Sequence, residues 1–174
     1  MSWLFLDFEA SSLGKQSYPV EVGWVFEDGS GDTHLLRPAP GWTDWDAGAA
    51  AIHGLTRERL EREGEPVAVV CARLVDLAGL HTLIASAPSW DGHWLSMLLR
   101  AAGRPRHLIR LRDTNDAFVE AARQRLGRGA SDTAVAALVS RARAAIETKP
   151  PAHRALGDAH REWMIWQTIR SEGE

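Results

Sequence analysis

The chain has 174 residues with eight tryptophans, one cysteine and a formal net charge of −3, and its sequence pI is near 6.2. That charge excludes a broad basic face for holding long duplexes, the single cysteine excludes a disulfide within the chain, and no apolar run approaches the ~20 residues of a membrane span. A chain of this length is most simply one domain, residues 1–174, burying about 70% of its unfolded surface; with no charged start followed by an apolar signal core, the expectation is a soluble, cytoplasmic protein with no membrane partner.

The first element, Trp3-Leu4-Phe5-Leu6-Asp7-Phe8-Glu9-Ala10, reads as an apolar strand interrupted by two carboxylates. Strand residues two apart share a face at a separation of about 6.6 Å. Asp7 and Glu9 therefore look out together, opposite Leu6 and Phe8. Two like charges on a half-buried strand repel unless a proton or a cation intervenes, and a divalent metal is the natural neutraliser. Ala10 to Ser17 has the composition of a loop. Val20–Phe26 alternates as a strand, 27–32 is a turn, and Thr33–Arg37 reads as the hairpin partner. Short helical turns come next over 46–52 and 56–62, the second started by Thr56 and stopped by Gly64.

Pro66 to Leu80 has the spacing of an amphipathic helix with Gly79 at its end, and Cys71 in that apolar run reads as a buried thiol. A short buried strand over 81–86, a helix over 90–102 and a fifth strand over 106–111 come after it. Three helices, 115–126, 132–146 and 154–171, complete the chain, separated by Gly127-Arg128-Gly129 and Lys149-Pro150-Pro151. This order predicts an α/β fold with a central five-stranded mixed sheet flanked by helices.

Three later polar residues need an account. Asp91 lies at or near a helix start, where a capping role alone would explain it. Asp158 sits in a well-packed helical segment beside Gly157, which permits close approach of another backbone or a ligand. His153 precedes Asp158 by five positions, on a loop set up by Pro150 and Pro151. A lone loop histidine is most often only exposed, whereas one above a carboxylate cluster is a candidate general base. Taken jointly, two carboxylates on a first strand, one at a later helix start and a His-x4-Asp entering the last helix are the parts of a two-metal phosphodiesterase. Oxygen ligands of this kind select Mg²⁺ or Mn²⁺. Each tryptophan singly is best read as core, with some available to stack bases along a groove.

Phe5-Leu6-Asp7-Phe8-Glu9-Ala10, Ile52-His53-Gly54-Leu55-Thr56, Trp90-Asp91-Gly92-His93-Trp94-Leu95 and His153-Arg154-Ala155-Leu156-Gly157-Asp158-Ala159 occur in that order. In this the sequence resembles the DEDDh 3′-to-5′ exonucleases of the RNase H-like superfamily, the group of RNase T, oligoribonuclease and the proofreading subunit of bacterial DNA polymerase III. The resemblance implies an RNase H-like fold and a site in which Asp7, Glu9, Asp91 and Asp158 hold two Mg²⁺ (or Mn²⁺) and His153 is the base. It further implies a terminal-nucleotide pocket in which Ala10 and Ser11 offer backbone N–H groups to the 3′ end and Leu13 wedges against the base. His53 would be structural or at the pocket edge. The implied reaction releases nucleoside 5′-monophosphates from the 3′ ends of single-stranded or short RNA or DNA. Relatives include homodimers, for which the arginines from Arg104 to Arg143 offer a basic patch, although most read as solvated helix faces. The chain departs from the family where the first loop reads Ala-Ser-Ser rather than Thr-Thr or Thr-Gly, and where Ser86 to Ser89 replaces an Asn. The rival reading is a nucleic-acid-binding or assembly module with this fold and little turnover; the filling of all five catalytic positions argues against it.

Overall fold

The strand that carries Asp7 and Glu9 is the middle of the sheet. In the computed structural model, which describes residues 1–127, 129–148 and 153–171, β1 (Ser2–Ala10) pairs antiparallel with β2 (Pro19–Phe26), and β2 pairs antiparallel with β3 (Gly31–Leu35). On its other side β1 runs parallel to β4 (His81–Ala85), and β4 to β5 (Arg112–Asp113). The order is β3-β2-β1-β4-β5, the expected mixed five-stranded sheet. Arg128 of the anticipated basic surface and the Lys149-Pro150-Pro151 separator lie outside the described residues.

Seven helices accompany these strands among the described residues: α1 (Ala47–His53), α2 (Arg57–Glu63), α3 (Val67–Leu80), α4 (Pro88–Ala101), α5 (Thr114–Leu126), α6 (Asp132–Ile146) and α7 (Ala155–Ser171). Thr56 caps α2 by accepting the Arg59 N–H, and Gly64 closes it, as expected. Three expectations fail. The segment 106–111 is not a strand: Pro105 accepts the Leu108 N–H at 3.0 Å, which closes a turn, and pairing is deferred to Arg112 and Asp113. Gly79 does not stop α3, which runs on to Leu80 and passes directly into β4 at His81; a helical glycine costs only about 1 kcal/mol, less than the pairing of β4 with β1 recovers. Finally, α4 begins two residues early because Pro88 occupies the first helical position, which moves Asp91 from the cap into the first turn.

Alternation along β1 divides the interior. Leu4, Leu6 and Phe8 enter one core with Val70 and Leu74 of α3 and Leu95 and Leu98 of α4. Trp3 and Phe5 enter the other with Phe118 of α5, Leu138 of α6 and Ile165 and Trp166 of α7. Asp7 and Glu9 continue this second register toward the carboxyl end of the strand, where the core gives way to a cleft. Cys71 is buried, and so are Trp3, Trp24, Trp42, Trp94 and Trp166. No described helix is long and apolar enough to cross a membrane.

The seating of α7 depends on one residue of β2. Gly23 stands opposite Asp7 in the sheet, and a Cβ there would lie 2.3 Å from the Leu156 nitrogen and 2.6 Å from the Ala155 carbonyl carbon. The first turn of α7 thus rests on bare backbone. The close approach anticipated at Gly157 occurs here instead, and Gly157 itself is exposed. Gly23→Ala must lift the first turn of α7 and is expected to cost about 2 kcal/mol, the scale of an overpacked core; a denaturant titration that leaves the midpoint unmoved would contradict this seating.

Candidate active site

The cleft lies at the carboxyl ends of the parallel strands β1 and β4, the usual ligand side of such a sheet. It has a volume of about 340 Å³ and is lined by Asp7 and Glu9 from β1, Ser86 and Ala87 after β4, Trp90, Asp91 and Trp94 from α4, His153, and Asp158, Arg161 and Glu162 from α7, with Leu13 at its mouth. Asp7, Glu9 and Asp158 each present an oxygen such that all three lie within 4.8 Å of one another. Asp91 lies near enough for its charge to bear on Asp7. It is 2% exposed, accepts the Ala87 N–H at 3.3 Å, and is also hydrogen-bonded by the Phe8 backbone. Its carboxyl is thus aimed back at the end of β1 rather than used as a helix cap.

Crowding and burial act on these acids in one direction. Burial, then the charges of Asp91, Glu9, Asp158 and Glu162, hold Asp7 well above the usual carboxylate range. Burial, then Asp158 and Glu21, push Glu9 up to about 7, against a smaller opposing effect of Arg154. Burial likewise carries Asp91 to about 7, although its backbone hydrogen bonds oppose this. A set of oxygen donors that strains against its own charge suits a hard divalent cation. The residues present therefore fit one, with Asp7, Glu9 and Asp158 as one donor set and Asp7 with Asp91 beside it.

His153 is exposed at the edge of the cleft and holds a left-handed backbone, φ 50°, a conformation more common for His than for most side chains. The two residues after it are tied down. Glu21 of β2, opposite Glu9 in the register and 1% exposed, receives Arg154 Nη2 at 2.6 Å on Oε1 and Arg154 Nε at 3.0 Å on Oε2. The Ala155 N–H reaches Oε2 at 3.1 Å and Thr33 Oγ1 reaches Oε1 at 3.2 Å. Burial pushes the Glu21 carboxyl up, but these bonds outweigh it and hold it below its usual value. The start of α7, and with it His153 and Asp158, is thereby fixed to the strand beside β1.

The sequence reading missed this clamp, and it missed Glu162. Glu162 lies one turn beyond Asp158 on the same face of α7, a spacing that was legible. Its Oε2 accepts Thr114 Oγ1 at 2.8 Å and burial pushes its carboxyl up. For Glu21 the signal was a lone carboxylate inside the buried run Val20–Val25, which demanded a partner.

The other anticipated residues fall outside the cleft, except Leu13. Ala10 is buried where the β1–β2 register shifts. The buried Ser11 donates its N–H to Tyr18 at 2.9 Å and its hydroxyl to Asp44 at 2.9 Å, so a 3′ end would have to displace an existing bond to use that N–H. Leu13 is 71% exposed. His53 is buried, its Nδ1 accepts the Leu55 N–H, and burial lowers its pKa. Among the described residues, Arg104, Arg106, Arg110, Arg112, Arg123 and Arg141 are exposed and Arg125 and Arg143 half-buried, with Arg143 set over Phe118 and Arg123 paired with Asp132.

No protein-family description and no curated protein matches this sequence. Solved structures do. E. coli exonuclease I in complex with a dT13 oligonucleotide superposes with a TM-score of 0.68 at 16% identity, covering 98% of this chain and 41% of that one. The fold is similar to that of exonuclease I. The zinc-bound complex of exonuclease I with single-stranded DNA gives a TM-score of 0.65 at 17% identity over 93% of this chain and 38% of that one. The apo form of exonuclease I gives 0.68 at 16% identity over 98% and 42%. The chain thus spans about two fifths of exonuclease I, and the expected α/β architecture is the part they share.

The electrostatics of the cleft has two measurable consequences. Glu9 and Asp91, raised to about 7 in the folded state, add stability that is complete below the unfolded-chain pKa of about 4 and is lost as pH climbs through about 7. The melting temperature of metal-free protein should fall between about pH 5 and about pH 8, and added Mn²⁺ should raise it more at the upper end; a flat profile with no Mn²⁺ effect would refute the crowding. Arg154→Ala leaves Glu21 buried without its cation and should cost about 2 kcal/mol in chemical denaturation, the scale of a charged hydrogen bond.

Proposed function

We propose that this chain is a metal-dependent 3′-to-5′ exonuclease that removes nucleoside 5′-monophosphates from the end of a single strand. The observation that carries the reading is the convergence of Asp7, Glu9 and Asp158 oxygens within 4.8 Å in a cleft that also holds Asp91 and His153. The shared fold supports it, since exonuclease I has been seen with single-stranded oligonucleotides.

Asp7, Glu9, Asp91 and Asp158 would hold two Mg²⁺ or Mn²⁺. Bound there, such cations would polarise the scissile phosphodiester and stabilise charge on the attacking and leaving oxygens. The chain's own groups do the rest. Asp7, whose carboxyl feels the charges of Asp91, Glu9 and Asp158 together, would be a ligand common to both donor sets. His153, exposed at the rim, accepts the proton of the attacking water, and the Glu21–Arg154 clamp limits where its ring can go. The Asp91 carboxyl is held by backbone bonds, so its aim does not depend on substrate. A strand end can enter from solvent at Leu13 and Trp90, and the low net charge of the chain suits a short single strand better than a long duplex. Single-stranded DNA is the first substrate to test, because it is the form with which exonuclease I is described.

Asp7→Asn removes the bridging charge while relieving repulsion. It should stay folded, with a metal-free melting temperature at about pH 8 no lower than that of the parent, while hydrolysis of an end-labelled single strand drops below about one-thousandth, the scale of losing several kcal/mol of metal-ion stabilisation. Near-normal turnover by the purified variant would sink the assignment. Retardation of the labelled strand by the unaltered protein without shortening, in the presence of Mg²⁺ or Mn²⁺, would instead mark a binding module.

A further inference from the structure

The two donor sets of the cleft are unequal. Asp7, Glu9 and Asp158 bring three carboxylates within 4.8 Å of one another, whereas the second set has only Asp7 and Asp91. A hard divalent cation takes about six oxygens. Among the described residues, Glu162 is the one further carboxylate that lines the cleft, and it is not among the four acids that the resemblance assigned to cations. It lies on α7 one turn beyond Asp158 and is half-buried. Its Oε2 accepts Thr114 Oγ1 at 2.8 Å, and Thr114, the first residue of α5, is 1% exposed. A buried hydroxyl on a separate helix thus sets the carboxylate in place and leaves Oε1 for a second partner. The charge of Glu162 bears on both Asp7 and Asp91. Burial pushes the Glu162 carboxyl up, with a further push from Glu147, while the Thr114 bond and the charges of Arg143 and Arg161 oppose this.

We infer that Glu162 is a positioning residue for the second divalent cation: with Oε2 held by Thr114, its other oxygen accepts a hydrogen bond from a water on the cation at Asp7 and Asp91, so that this cation binds before any strand arrives. The inference rests on the metal-dependent reading of the cleft. Three observations favour a link through water over direct ligation. Among the described residues, the three acids that converge closely enough to hold an ion directly are Asp7, Glu9 and Asp158, and Glu162 is not one of them. A cleft of about 340 Å³ has room for waters beside a cation, and Mg²⁺, which dehydrates reluctantly, keeps several. Finally, an acceptor aimed in advance by another helix holds such a water without having to be ordered when the cation enters, which is how outer partners tune a metal site. A set of two carboxylates would otherwise wait for the phosphate oxygens of the substrate to complete it. One more negative charge in a crowded cleft is costly without a cation and favourable with one.

The test measures Mn²⁺ binding to the metal-free, full-length protein without nucleic acid, following free Mn²⁺ by its electron paramagnetic resonance signal. The unaltered protein should bind two Mn²⁺ in two steps. Glu162→Gln keeps an oxygen for Thr114 but loses the charge. It should weaken the second step about tenfold or more, the scale of a lost outer partner, and leave the first within about twofold. Thr114→Val releases the carboxylate and should weaken the second step in the same direction, to a smaller extent. The Mn²⁺ concentration for half-maximal shortening of an end-labelled single strand should rise in both variants. A metal-free melting temperature of Glu162→Gln at or above that of the parent separates this role from support of the fold. A second step within about twofold of the parent in Glu162→Gln, equal weakening of both steps, or a parent that takes up only one Mn²⁺ until nucleic acid is added overturns the inference while leaving the exonuclease reading in place. A parent that binds no Mn²⁺ and shortens no strand overturns the exonuclease reading and the inference with it.

Discussion

The repulsion among carboxylates at the end of β1 is the constraint on which the rest of this structure turns. Asp7, Glu9 and Asp158 are held within 4.8 Å of one another, with Asp91 buried beside them and Glu162 adding its charge. Left to itself such a cluster would spread. The fold prevents this at three places: Gly23 lets α7 sit on bare sheet, Glu21 grips Arg154 and the Ala155 N–H, and Thr114 holds Glu162. Burial and the repulsion that remains raise the proton affinity of Asp7, Glu9 and Asp91 together.

The position of β1 explains how the sheet bears this load. A central strand, paired on both edges and covered on both faces, is the least deformable element available. Its apolar residues fill two cores over most of its length, and only the last few side chains of one register meet water. The register shift between Glu9 and Ala10 marks where ladder pairing ends and the chain turns away. Rigidity and access are therefore separated by a few residues on the same strand.

Charge is used locally rather than broadly. The arginines of the later helices serve their own surroundings, as Arg123 does with Asp132 and Arg143 does over Phe118. Near the cleft mouth Lys15 is exposed, and Trp90 stacks on Trp94.

The sequence by itself determined the paired carboxylates on β1, because strand alternation fixes the facing of residues two apart whatever else the chain does. It also determined most elements, the cap at Thr56 and the burial of Cys71, all of which come from local spacing. It misjudged 106–111, Gly79 and the start of α4, where the outcome hung on which neighbour was available to pair or pack. The tertiary structure alone decided that Asp91 faces Asp7 from α4 and that Glu21 locks the approach to His153. Those are contacts between residues distant in the chain, and no local pattern encodes them: a carboxylate in a buried strand announces that it needs a partner, but only the packing of α7 on Gly23 says that the partner is Arg154.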